Sequence, residues 1–130
     1  MSVLLIEDSP ERVKKFKQHC IGISFIHKKT ADAAIAWLQS NTPKVIFLDY
    51  DLHDYGADIH ETGCGGDVVS WMGKHDHQFQ HTQVVIHSLN MSGAARMFAK
   101  LQQHNIPSVR MPFIWEHPSS LDIFTKNLRN

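Results

Sequence analysis

The stretch VIFLDYDLHDYGADIHETGCGG, residues 45–66, starts as a hydrophobic run and then places Asp49, Asp51, His53, Asp54, Asp58, His60 and Glu61 within thirteen positions. Carboxylates gathered this closely repel one another and hold their protons more tightly unless a cation sits among them. A hard divalent ion resolves the conflict. Mg²⁺ takes oxygen ligands, keeps several waters and needs only one or two carboxylates plus a phosphate oxygen. Asp49 can alternatively attack phosphorus itself, as carboxylates do in aspartyl-phosphate chemistry.

The elements that must position these groups are legible as a pattern. Short runs rich in Val, Ile and Phe alternate with longer stretches of helical period, the signature of βαβ units feeding a parallel sheet. Five strands are expected, at 3–6, 23–26, 45–48, 84–87 and 108–111, with helices near 10–20, 31–40, 65–76, 92–104 and 119–128. Ser9 before Pro10, and Thr30 before an Ala-rich run, mark two helix starts. The chain, 130 residues with 42% hydrophobic content, is expected to form one α/β domain over 1–130. Trp37, Phe47, Trp71, Met72, Phe98 and Leu101 recur at periodic apolar positions and are expected in its core.

In open parallel sheets, ligands bind at the carboxyl ends of the strands. That rule brings Glu7 and Asp8, Asp49 and Asp51, Ser88 and Asn90, and Pro112 and Phe113 to one rim. Asp8 and Asp49 lead as ligands of Mg²⁺ or Mn²⁺, with Glu7 and Asp51 beside them. The Ser88 hydroxyl can donate a hydrogen bond to a phosphoryl oxygen.

IEDSP at 6–10, FLDYDL at 47–52, VVIHS at 84–88 and MPF at 111–113 resemble, in order, the motifs of the response-regulator receiver (CheY-like) fold. The resemblance implies a doubly wound five-stranded sheet of flavodoxin/receiver type, strand order 2-1-3-4-5. It also implies that Glu7 and Asp8 hold Mg²⁺, that Asp49 accepts a phosphoryl group and that Ser88 contacts it. One position departs: the lysine that precedes the motif proline in receivers is Met111 here. Arg110, one residue earlier on a strand, points to the other face. LDYDL followed by ETG at 61–63, VVSWM at 68–72 and IHSLNMSGAARM at 86–97 look like the divergent branch of cyclic-phosphate processing receiver domains. That resemblance implies hydrolysis or handling of a cyclic phosphate.

The residues of these segments are compatible with such chemistry. His87 is a candidate general acid or base, and Asn90 can orient a phosphate oxygen. Ser92 and Gly93 open the fourth helix, whose N-terminus suits an anion. Arg96 can clamp a phosphate, and Glu61 can activate water or support the metal. The alternatives are a receiver accepting a phosphoryl group on Asp49 in a phosphorelay, and a degenerate receiver that only binds a protein. His53, His60 and Cys64 suggest zinc, but in no tight structural spacing. His75, His77 and His81 are expected to be solvated near the third helix's end.

Composition narrows the partners. Thirteen basic and thirteen acidic residues balance, so no net field draws the chain to nucleic acid, and no DNA-binding domain is expected. The apolar runs are too short to span a bilayer. Two distant cysteines, with no basic and apolar leader, fit a reduced, cytoplasmic protein. The expected partners are a phosphate-containing small molecule or RNA end, and a separate signalling protein if the chain signals.

Overall fold

The computed structural model describes residues 2–52 and 63–129. Five strands, β1 (Ser2–Ile6), β2 (Ser24–Lys28), β3 (Val45–Leu48), β4 (Gln83–Ile86) and β5 (Ser108–Arg110), alternate with five helices, α1 (Pro10–His19), α2 (Ala31–Leu38), α3 (Gly65–Lys74), α4 (Met91–Gln103) and α5 (Pro118–Thr125). All strand pairs are parallel, in the order β2-β1-β3-β4-β5. This is the expected α/β architecture and strand order. Among the described residues no helix is long and apolar enough to cross a membrane.

Side-chain alternation divides the core into two layers. Leu4, Ile6, Ile46, Leu48, Val84 and Ile86 face α2, α3 and α4, meeting Ala34, Leu38, Val69, Met72, Met97 and Leu101. Val3, Leu5, Phe47 and Val85 face the opposite side, where Val13 and Phe16 of α1, Trp115 and Leu121 cover them. Of the six aromatic and apolar positions expected in the core, Phe47, Met72 and Leu101 are fully buried, while Trp37, Trp71 and Phe98 pack against its margin.

The helix starts carry the expected chemistry. The Ser9 hydroxyl accepts from the Arg12 N–H, with Pro10 at the first helical position, and Thr30 Oγ1 accepts from the Ala33 N–H at 3.1 Å. The third helix begins differently. The Gly65 N–H donates to the Tyr50 carbonyl at 2.8 Å, and a Cβ at Gly65 would lie 2.1 Å from the Asp49 carbonyl oxygen. Only glycine lets α3 start this close to the end of β3.

The sheet register fixes the site. Ile6, Leu48, Ile86 and Arg110 lie side by side across β1, β3, β4 and β5. One residue farther, the ladder continues: the Asp49 N–H donates to Ile6 O (3.1 Å), the His87 N–H to Leu48 O (3.0 Å) and the Met111 N–H to Ile86 O (2.8 Å). Glu7, Asp49, His87 and Met111 therefore form one row at the carboxyl edge. By alternation this row points to the side covered by α1 and Trp115.

Candidate functional site

The row closes into a tight polar cluster under an aromatic lid. Glu7 and His87 are wholly buried and Asp49 is 3% exposed. Glu7 Oε2 accepts the backbone N–H groups of Asp8 (2.9 Å) and Ser9 (3.2 Å). Its Oε1 lies 3.0 Å from His87 Nε2. A carboxylate only accepts, so the ring donates its Nε2–H, leaving Nδ1 as a bare acceptor. Among the described residues that buried Nδ1 has no partner. The imidazole instead meets rings: Phe16 at 5.0 Å, tilted, and Trp115 at 5.6 Å, edge-on.

Burial governs the charges. It raises the Asp49 carboxyl from 3.8 to about 6, aided by the adjacent Glu7 and opposed by His87 and the Ser88 hydroxyl. Burial lowers His87 from 6.5 to about 4 against the pull of Asp49, with Arg12 lowering it further. His87 is thus neutral near pH 7.

A cation comes from α1. Arg12 is the third residue of the helix, and helical side chains tilt toward the N-terminus, so it leans back over the rim. Its Nη1 lies 3.6 Å from both Glu7 Oε1 and Asp49 Oδ2. Its guanidinium carbon sits 4.5 Å above the Trp115 ring. Arg12 was not anticipated from the sequence. The signal was present: Ser9 as a helix cap places residue 12 one turn in, facing back toward the acids.

The remaining expected residues divide between clefts. Asp8 and Asp51 join Ser9, Glu11, Arg12 and Asp49 around an opening of about 440 Å³. Asn90 is primarily the α4 cap, its Oδ1 accepting the Gly93 N–H at 2.9 Å, while its Nδ2 reaches Asp51 at 3.4 Å. Ser88 Oγ accepts the Asn90 N–H at 3.1 Å and lines a neighbouring cleft with Met91 and Arg110. Arg96 donates to the Tyr50 hydroxyl at 2.9 Å and borders a third cleft with Gly66 and Asp67, away from Asp8 and Asp49. Glu61, His53 and His60 lie outside the described residues, and Cys64 is the half-buried cap of α3. Of the histidine group near α3, His75 stacks on Trp71 at 4.2 Å, and His77 stands almost wholly in solvent.

Glu7, Asp49 and His87 each offer one ligand atom, all within 4.8 Å of one another. The two carboxylate oxygens suit Mg²⁺ or Mn²⁺, while His87 Nε2 is committed to Glu7 Oε1. The donor set fits a divalent ion.

A parallel sheet in this order, with acids following β1 and β3 and a hydroxyl following β4, defines a receiver fold. The signal receiver domain of a protein described as a Luxo repressor, from Vibrio parahaemolyticus, shares it at a TM-score of 0.66 and 24% identity, over 98% of this chain and 91% of that one. So do the receiver domain of NtrX from Brucella abortus (0.63, 17%, covering 98% and 97%) and a CheY-like receiver domain protein from Methanospirillum hungatei JF-1 (0.59, 13%, covering 97% of each). These likenesses establish the fold. The model of the cyclic-phosphate processing receiver domain matches residues 4–103, and the chain belongs to that family. No curated protein matches the chain.

Proposed function

We propose that the acidic cleft binds and hydrolyses a phosphate ester, of the cyclic class, with the help of Mg²⁺ or Mn²⁺. The observation that carries this reading is the buried row of Glu7, Asp49 and His87, which meets a cleft of about 440 Å³ flanked by Asp8 and Asp51. Membership of the cyclic-phosphate processing family supports it. Asp8, Asp49, Glu7 and Asp51 would hold a divalent ion, which would supply Lewis acidity toward a phosphoryl oxygen.

The chain's own residues divide the remaining work. Asp49, at the cleft, can hold the ion or attack phosphorus. His87 is too deeply buried to touch a ligand; it acts by holding Glu7 through Nε2. Asn90 ties the α4 start to Asp51, and Ser88 and Asn90 orient phosphate oxygens from that side. The phosphate contact assigned to Arg96 requires it to leave Tyr50. Glu61 is the proposed water-activating residue. The ligand is a phosphate-containing small molecule or an RNA end. A cytoplasmic setting agrees with the free thiols of Cys20 and Cys64.

A second reading is phosphoryl transfer to Asp49 with signalling to a partner protein. The position of Asp49 beside Asp8 in an open cleft favours it, whereas Met111, packed into the apolar layer, supplies no charge to hold a phosphoryl group. Incubation with a small phosphodonor, and separately with a panel of cyclic phosphates, each with Mn²⁺, tells the readings apart. Loss of cyclic phosphate without stable protein labelling supports hydrolysis. An acid-labile phosphate on Asp49 without turnover supports the phosphoacceptor.

A further inference from the structure

We propose that Arg12 is the oxyanion-binding group of the acidic cleft, gripping a phosphate oxygen of the ligand from α1 while it balances Glu7 and Asp49. The inference rests on the phosphate-ester reading above and adds the residue that recognises the ester's negative charge.

Four observations converge on Arg12. It borders the same cleft as Asp8, Asp49 and Asp51, and its side chain is 27% exposed, so ligand can reach it. Its distances of 3.6 Å to the two carboxylates are well beyond the roughly 2.7–2.9 Å of a formed charge-assisted hydrogen bond. Among the described residues, no side-chain hydrogen bond consumes its five N–H donors. The guanidinium is therefore attracted to the acids but not saturated by them.

Trp115 fixes its attitude. With its carbon 4.5 Å over the indole, the guanidinium is held in place by cation–π attraction, and an arginine's N–H donors can meet an oxyanion in bidentate fashion. Trp115 is itself anchored by Phe16 at 6.4 Å and His87 at 5.6 Å. The buried row thus holds the platform on which Arg12 lies.

Two other arginines at this end of the sheet are turned elsewhere. Arg110 Nη2 points to the Met91 carbonyl at 3.4 Å, and Arg96 is engaged with Tyr50. Met111, next in the row after His87, contributes a thioether to the apolar layer. A phosphate entering beside Asp8 and Asp49 brings negative charge to a site already rich in it. Arg12 is positioned to offset that charge.

The test is calorimetric titration of the full chain with inorganic phosphate in saturating Mn²⁺, with Mn²⁺ affinity followed separately by electron paramagnetic resonance. The wild-type chain should bind phosphate, and Arg12→Gln should weaken it by about 10- to 100-fold while leaving Mn²⁺ affinity equal or tighter. Arg12→Lys, which keeps the charge and the helix contacts, should lose less. Adding Met111→Lys to Arg12→Gln should restore part of the loss by returning a cation to the row. Equal phosphate affinity in wild type and Arg12→Gln overturns the assignment and leaves the metal-dependent reading standing. Parallel loss of Mn²⁺ and phosphate in Arg12→Gln also overturns it, because the residue would then act through the metal. A wild-type chain that binds neither Mn²⁺ nor phosphate overturns both readings.

Discussion

Replacing His87 with glutamine isolates the electrostatic cost of the buried row. Burial holds the ring at about 4 rather than 6.5, a gap worth about 3 kcal/mol at roughly 1.4 kcal/mol per pH unit. A group whose pKa is depressed on folding contributes stability above its unfolded value and loses it as pH falls through the folded value. Wild-type protein should therefore lose up to about 3 kcal/mol through this one residue between pH 6.5 and 4. Glutamine keeps a donor within reach of Glu7 Oε1 but has nothing to titrate. Urea unfolding in chelator, followed by circular dichroism at half-unit steps of pH, gives both stability curves. Their difference should be flat above pH 6.5 and close by about 3 kcal/mol toward pH 4. Curves that run parallel across that window would refute the reasoning, because His87 would then titrate alike in the folded and unfolded chains.

Asp49→Asn should show the opposite slope. The carboxyl is raised from 3.8 to about 6 by burial and Glu7, so its contribution is present below pH 3.8 and lost through pH 6. In chelator the variant should gain about 3 kcal/mol on wild type between pH 4 and 7, read from the same unfolding curves. Gly65→Ala should lower the melting temperature by an amount corresponding to about 1–3 kcal/mol, since the added methyl meets the Asp49 carbonyl oxygen at 2.1 Å and backbone must move. It should also weaken Mn²⁺ binding, measured by electron paramagnetic resonance, because the moved backbone carries Asp49.

The alternation of apolar runs with helical periods made the strands legible, and each lies within two residues of its expected bounds. The motif acids therefore fell at the rim where the open-sheet rule placed them. What a linear pattern could not give was the side to which each group turns. Register and alternation send His87 inward beneath Phe16 and Trp115, where it meets Glu7. Asn90 was read as a phosphate contact; its Oδ1 caps α4, and its Nδ2, the atom that would donate to a phosphate oxygen, reaches Asp51. Arg96 was read by its distance along the helix from Ser92, but Tyr50 intercepts it in space. Arg12 escaped notice because the missing cation was sought on β5, where Met111 stands. The compensation comes from α1, across the sheet, through a contact that only the fold creates.

The most direct measurement of the central claim is turnover of a panel of cyclic phosphates, nucleotide and RNA-end types, followed by phosphorus magnetic resonance. Each substrate is run with Mn²⁺ and with chelator, for wild type and Asp49→Asn. The account requires ring opening that appears with Mn²⁺, vanishes in chelator and is lost in Asp49→Asn. Turnover that survives chelation and the substitution, or no turnover from a chain that binds Mn²⁺ normally, would contradict it.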